Sequence, residues 1–237
     1  MSHSHTTTHS QDGRVEPTKP PAEFPAKPMM RGWLHLGFAP LALIVGVVLT
    51  AYAPTLLGRV GCGVYTLTAV QLFATSAAYH RGNWSPPILA TFRRIDHSNI
   101  FIFIAGTYTP LSLVMLEGNT RIAVLVLIWI IAFLGIAFRV LWLGAPRWLY
   151  TFLYVAMGLA AVGWFPQFWD AGGPAIVLLI VTGGLIYILG AVAYATKKPA
   201  LSLKWFGFHE VFHTATILAA ICHLVAIGLA VFGAGAA

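Results

Sequence analysis

Two histidines four residues apart, His209 and His213, open a long apolar stretch near the end of the chain. On a helix this spacing puts both imidazoles on one face, a turn apart, where they can hold one metal ion. The segment His209-Glu210-Val211-Phe212-His213 also fits the H-E-x-x-H pattern, whose glutamate is the base of zinc proteases. His80, which closes another apolar stretch, is the candidate third nitrogen ligand. Three protein ligands leave one position open to water or substrate, as in catalytic zinc sites. Imidazoles with no thiolate nearby favour zinc. The two cysteines, Cys62 and Cys222, fall inside apolar segments and read as small packing residues.

Two further groups belong to the same set. Asp96 stands at the start of a third apolar stretch, and two roles are open to it. It can hold a water and act as general base, or it can orient a histidine. An ion pair with Arg93 or Arg94 is the plainer alternative. Ser76 precedes His80 by four residues and shares its helix face, a turn deeper. Its hydroxyl can orient a substrate carbonyl or a water, or back-bond to its own helix. His97 follows Asp96 directly and is expected to point off that face. His223 lies ten residues beyond His213, about 15 Å further along a helix. That is too far for the same metal, so it reads as a packing or hydrogen-bonding residue.

The elements that must position these groups follow from composition. Of 237 residues, 58% are hydrophobic and 9% charged, against about a quarter charged in soluble domains. Seven apolar segments, at about 34–53, 61–80, 96–116, 122–143, 148–168, 174–196 and 208–232, each approach the ~20 residues a membrane-spanning helix requires. The expected fold is all-α, a polytopic bundle of seven transmembrane helices over residues 31–237. Pro110 and Pro166 mark expected kinks or early helix ends. Residues 1–30 form a polar tail, expected to be disordered and cytoplasmic, with no apolar core for a secretory signal. Its His3, His5 and His9 offer only adventitious metal binding.

With seven spans, twelve of the fourteen Lys and Arg residues share the face of the N-terminus, and only Arg59 and Arg121 lie on the other. The positive-inside rule then places the N-terminus in the cytoplasm and the C-terminus outside an inner or plasma membrane. The net charge of +7 is read as headgroup contact with membrane lipids. Nucleic acid is not an expected partner, because no basic patch is interleaved with exposed aromatics. On this topology His80, Asp96, His97, His209, Glu210 and His213 gather at one membrane depth, where ionisable groups are costly and usually functional.

Three motifs resemble one family. They are Ser76-Ala77-Ala78-Tyr79-His80; Arg94-Ile95-Asp96-His97-Ser98-Asn99-Ile100 followed by Ala105-Gly106-Thr107-Tyr108-Thr109-Pro110; and Phe208-His209-Glu210-Val211-Phe212-His213. From about Arg31 to its end the chain resembles the hemolysin III family, the bacterial branch of the adiponectin-receptor-like (progestin and adipoQ receptor) membrane proteins. The resemblance implies a seven-helix bundle with zinc held by His80, His209 and His213 and a water near Asp96. It also implies a link to lipid-amide hydrolysis, known of eukaryotic relatives, and to membrane-lipid homeostasis. The residue between the two histidines varies among relatives, so the resemblance gives Glu210 no base role.

Four functions are compatible with these residues. The leading one is a zinc-dependent intramembrane hydrolase of lipid amides or esters. In that reading Asp96 moves the proton and Ser76 assists. The second is a sensor or regulator in which zinc staples helices. A pore would need polar residues along the whole membrane path, but here they gather at one end. An intramembrane protease would need Glu210 as its base.

Overall fold

The computed structural model describes residues 28–233 apart from Leu143, Ala161 and Leu203. The expected tail at 1–27, with His3, His5 and His9, lies outside the described residues. Seven α-helices follow one another: α1 Trp33–Tyr52, α2 Leu56–Arg81, α3 Pro86–Met115, α4 Gly118–Leu141, α5 Arg147–Gly158, α6 Phe165–Thr196 and α7 Phe208–Gly233. A 3-10 turn, Val162–Trp164, sits between α5 and α6. Among the described residues there is no strand, only one isolated bridge between Ser202 and Phe206. The described residues are all-helical and polytopic: among them six helical stretches are long and apolar enough to cross a membrane.

Local chemistry explains the helix ends. Thr55 caps α2 by accepting from the Gly58 N–H at 3.0 Å. Pro86 and Pro87 occupy the first turn of α3, where the missing N–H costs nothing. These prolines start α3 ten residues before Asp96, earlier than the apolar run alone indicates. Pro110 does not end α3, which continues to Met115. Opposite it stands Gly61 on α2, where a β-carbon would come within 2.6 Å of Pro110 Cα. Pro166, by contrast, lies at the start of α6.

The stretch Arg147–Thr196 counts as one apolar span by length, yet it is interrupted twice. α5 ends at Gly158, whose carbonyl accepts from the Tyr108 hydroxyl. Within α6, Gly173 leaves helical geometry at φ 70°, a region a β-carbon disfavours, just ahead of Pro174. Arg147, the first residue of α5, donates to the Tyr194 carbonyl near the end of α6 at 3.3 Å. The Tyr150 and Tyr194 hydroxyls lie 3.4 Å apart. The stretch therefore returns to the end of the bundle at which it began.

The two least apolar spans are the most enclosed. The span windows of α2 and α3 are the least apolar, at mean hydropathy 1.3 and 1.4, and the most enclosed, at 50% and 67% buried. The window of α1 reaches 2.1 with 17% buried. Lipid solvates the apolar helices, while the polar side chains of α2 and α3 are turned inward, where they find partners. α3 is central, packing on α2, α4, α5, α6 and α7.

Candidate metal centre

His80 ends α2, and His209 and His213 occupy the first two turns of α7. Their nearest ligand atoms all lie within 4.8 Å of one another, close enough to hold a metal ion. The His80 and His209 Nε2 atoms are 3.1 Å apart. Tetrahedral coordination at metal–nitrogen distances of about 2.0–2.1 Å gives a nitrogen–nitrogen edge of about 3.3 Å. The separation is thus nearly that of two ligands on one ion. His213 Nδ1 is buried with no hydrogen-bond partner. Convergent imidazoles and an orphaned buried nitrogen fit a cation.

A fourth imidazole supports the trio. His35 of α1 stacks on His213 with ring centroids 3.8 Å apart and planes at 11°, and it meets the Phe73 edge at 5.0 Å. It is buried. Sequence reasoning missed His35, although it sits in the first apolar segment and the test applied to the other histidines would have found it.

Glu210 does not face the trio. One carboxylate oxygen pairs with Arg31 Nε, and the other accepts the Gly207 N–H at 2.8 Å. With backbone bonds from Met29 and Met30 to the carbonyls of Lys204 and Trp205, this fastens the entry of α1 to the entry of α7. Both oxygens of the H-E-x-x-H carboxylate are therefore taken up by a structural clamp.

Asp96 is buried on α3, with the Ser76 hydroxyl of α2 as its hydrogen-bond partner. Both line a cavity of about 240 Å³ that also reaches His35, His209 and His213. Its walls are largely apolar, including Leu72, Ile100, Phe103, Leu111 and Ile180. The irregular chain after α5 contributes Leu159 and Val162; non-helical backbone of this kind is tolerated at membrane depth where it lines a cavity.

His97 departs from expectation by lining this cavity beside Asp96. Its Nδ1 lies 3.0 Å from Nη2 of Arg139, and its backbone carbonyl accepts from Tyr154 at 3.0 Å. Arg139, read from sequence only as a flanking charge, is 1% exposed and lies over the Tyr150 ring at 4.4 Å. His223 sits apart from the trio, with its Nε2 3.2 Å from the Ile180 carbonyl.

Comparison with known proteins places this architecture. The chain is 31% identical to Hemolysin-3 of Bacillus cereus over 158 residues, covering 66% of this chain and 71% of that one. It is 37% identical to a Hemolysin-3 homolog of Bacillus subtilis over 116 residues, 48% of this chain and 54% of that one. The chain thus spans about half the length of the Bacillus subtilis relative. It is 27% identical to an adiponectin receptor protein of Drosophila melanogaster over 186 residues, 68% of this chain and 40% of that one. The profile of the family described as "Haemolysin-III related" matches residues 25–224, and with that match the chain belongs to this family of integral membrane proteins.

Proposed function

We propose that this protein is a zinc-dependent intramembrane hydrolase of lipid amide or ester bonds. The observation that carries the reading is one juxtaposition: three convergent imidazoles, two of which, His209 and His213, line a cavity that also holds the Asp96–Ser76 pair between apolar walls. Zinc held by His80, His209 and His213 would supply Lewis-acid polarisation of a carbonyl and a water acidified to about pKa 7. Asp96 accepts a proton at its carboxylate and returns it to the leaving amine or alcohol. Ser76 orients that carboxyl. The apolar walls bind the lipid chain and exclude water around the reacting bond.

The topology we assign is seven crossings in an inner or plasma membrane. The meeting of Arg147 with Tyr194 supports reading α5 through Gly173, and the remainder of α6, as two antiparallel crossings. The distribution of Lys and Arg then supports a cytoplasmic N-terminus. A role in membrane-lipid homeostasis follows from the substrate class, with membrane lipids as partners.

The test is metal content by elemental mass spectrometry on detergent-purified protein lacking the tail histidines, followed by turnover of a panel of lipid amides and esters. About one zinc per chain, absent from His80→Ala/His213→Ala, and zinc-dependent release of fatty acid support the reading. A well-folded protein without metal overturns it. One observation favours a second reading, a regulator stapled by zinc: the three imidazoles join the end of α2 to the start of α7, so an ion between them would act as a tie. In that case metal removal lowers thermal stability and no lipid is turned over.

A further inference from the structure

The start of α1 and the end of α2 meet at the end of the bundle that carries the trio. Gly32 stands at φ 81°, and a β-carbon there would come within 2.9 Å of His80 Cβ and 3.0 Å of Arg81 Cγ. That backbone conformation and so close an approach both suit glycine alone. The next residue, Trp33, lies under the Arg81 guanidinium, whose Cζ is 4.1 Å from the ring centroid. Arg81 is thereby held twice, at its stem by Gly32 and at its head by Trp33. It is nonetheless exposed, and Trp33 is 46% exposed.

The hydrogen-bonding capacity of this cation is unused by the protein. A guanidinium only donates, and among the described residues no carbonyl, hydroxyl or carboxylate accepts from Arg81. No exposed acid competes for it at this end. Of the described acids, Asp96 and Glu210 are buried, and Glu210 is paired with Arg31. Glu117 follows the far end of α3. Asp170 lies near the start of α6, whose other end brings Tyr194 against His209.

The position of the pair fixes its medium. An exposed tryptophan at the first residue of a spanning helix sits where headgroups meet acyl chains, and an arginine at the end of the next span reaches into the same zone. A guanidinium already fixed in place loses less freedom when it binds an anion. The anion at that boundary is the phosphate of a phospholipid, which matches the guanidinium fork with two parallel hydrogen bonds.

We infer that Arg81, braced by Gly32 and Trp33, is a binding site for the phosphate of a phospholipid headgroup, next to His80 in α2. The inference needs neither a metal nor turnover.

The test uses the full chain in detergent, with binding read by native mass spectrometry. The probes are dioleoylphosphatidylglycerol, dioleoylglycerol, which carries the same chains without the phosphate, and inorganic phosphate. The phospholipid is expected to bind about tenfold more tightly than dioleoylglycerol, as charge-assisted hydrogen bonds allow. Arg81→Gln should erase that preference. Arg81→Lys keeps the charge without the fork, and Trp33→Leu keeps the guanidinium without its brace; each should lower the preference about threefold. Lys198→Gln removes an exposed charge just past the end of α6 and should leave the preference unchanged. Equal binding of the two lipids to the wild type overturns the site. So does a preference that survives Arg81→Gln, or one that falls equally with Lys198→Gln. Displacement of the phospholipid by an equal concentration of inorganic phosphate overturns the lipid as its occupant.

Discussion

The cavity holds histidines at both ends, and the two ends use the same side chain in opposite ways. Where α2 ends and α7 begins, His80, His209 and His213 bring ligand nitrogens within 4.8 Å of one another. Further along α7, His223 turns one nitrogen to a backbone carbonyl at 3.2 Å and leaves the other buried without a hydrogen-bond partner. Three ring nitrogens that converge can share one cation. A nitrogen whose tautomer is set by a carbonyl calls for a donor. What an imidazole does is therefore settled by what its nitrogens face, and depth in the bundle decides that.

The largest effect expected concerns the metal. His209→Ala should drop the zinc count from about one per chain to none, while His223→Leu leaves it unchanged. A fall in zinc with His223→Leu would break the distinction between the two ends. Next in size is Asp96→Asn, which should lower lipid turnover by about 10²–10⁴-fold while zinc stays bound. Retained turnover would move Asp96 from proton transfer to orientation.

A third expectation separates Glu210 from the trio despite its place between two of the histidines. Arg31→Ala strands a fully buried carboxylate and should cost about 3–5 kcal/mol of stability, read in a denaturation series, with zinc stoichiometry intact. Metal loss at native-like stability would return Glu210 to the site. The smallest effect sharpens the trio itself. His35→Leu removes the stack on His213, worth about 0.5–1.5 kcal/mol, and should weaken zinc binding about two- to tenfold in a chelator competition. No change would make His35 a packing residue.

Much of this was readable in the residues, for local reasons. The helices were legible because about 20 apolar residues between polar breaks have few alternatives to spanning a bilayer. The His209–His213 pair was legible because helical periodicity alone places i and i+4 on one face. Other features depend on which helices become neighbours, and chain distance carries no trace of that. The meeting of His80 with His209 joins positions 129 residues apart, and the clamp of Arg31 on Glu210 joins positions 179 apart. The H-E-x-x-H pattern looked like a base between ligands. Packing instead gave that carboxylate to an arginine from the start of the chain. The break at Gly158, the stack of His35 on His213 and the pairing of Arg139 with His97 were likewise decided by packing. Periodicity determines which face of a helix a residue occupies, whereas only the tertiary structure determines what that face meets.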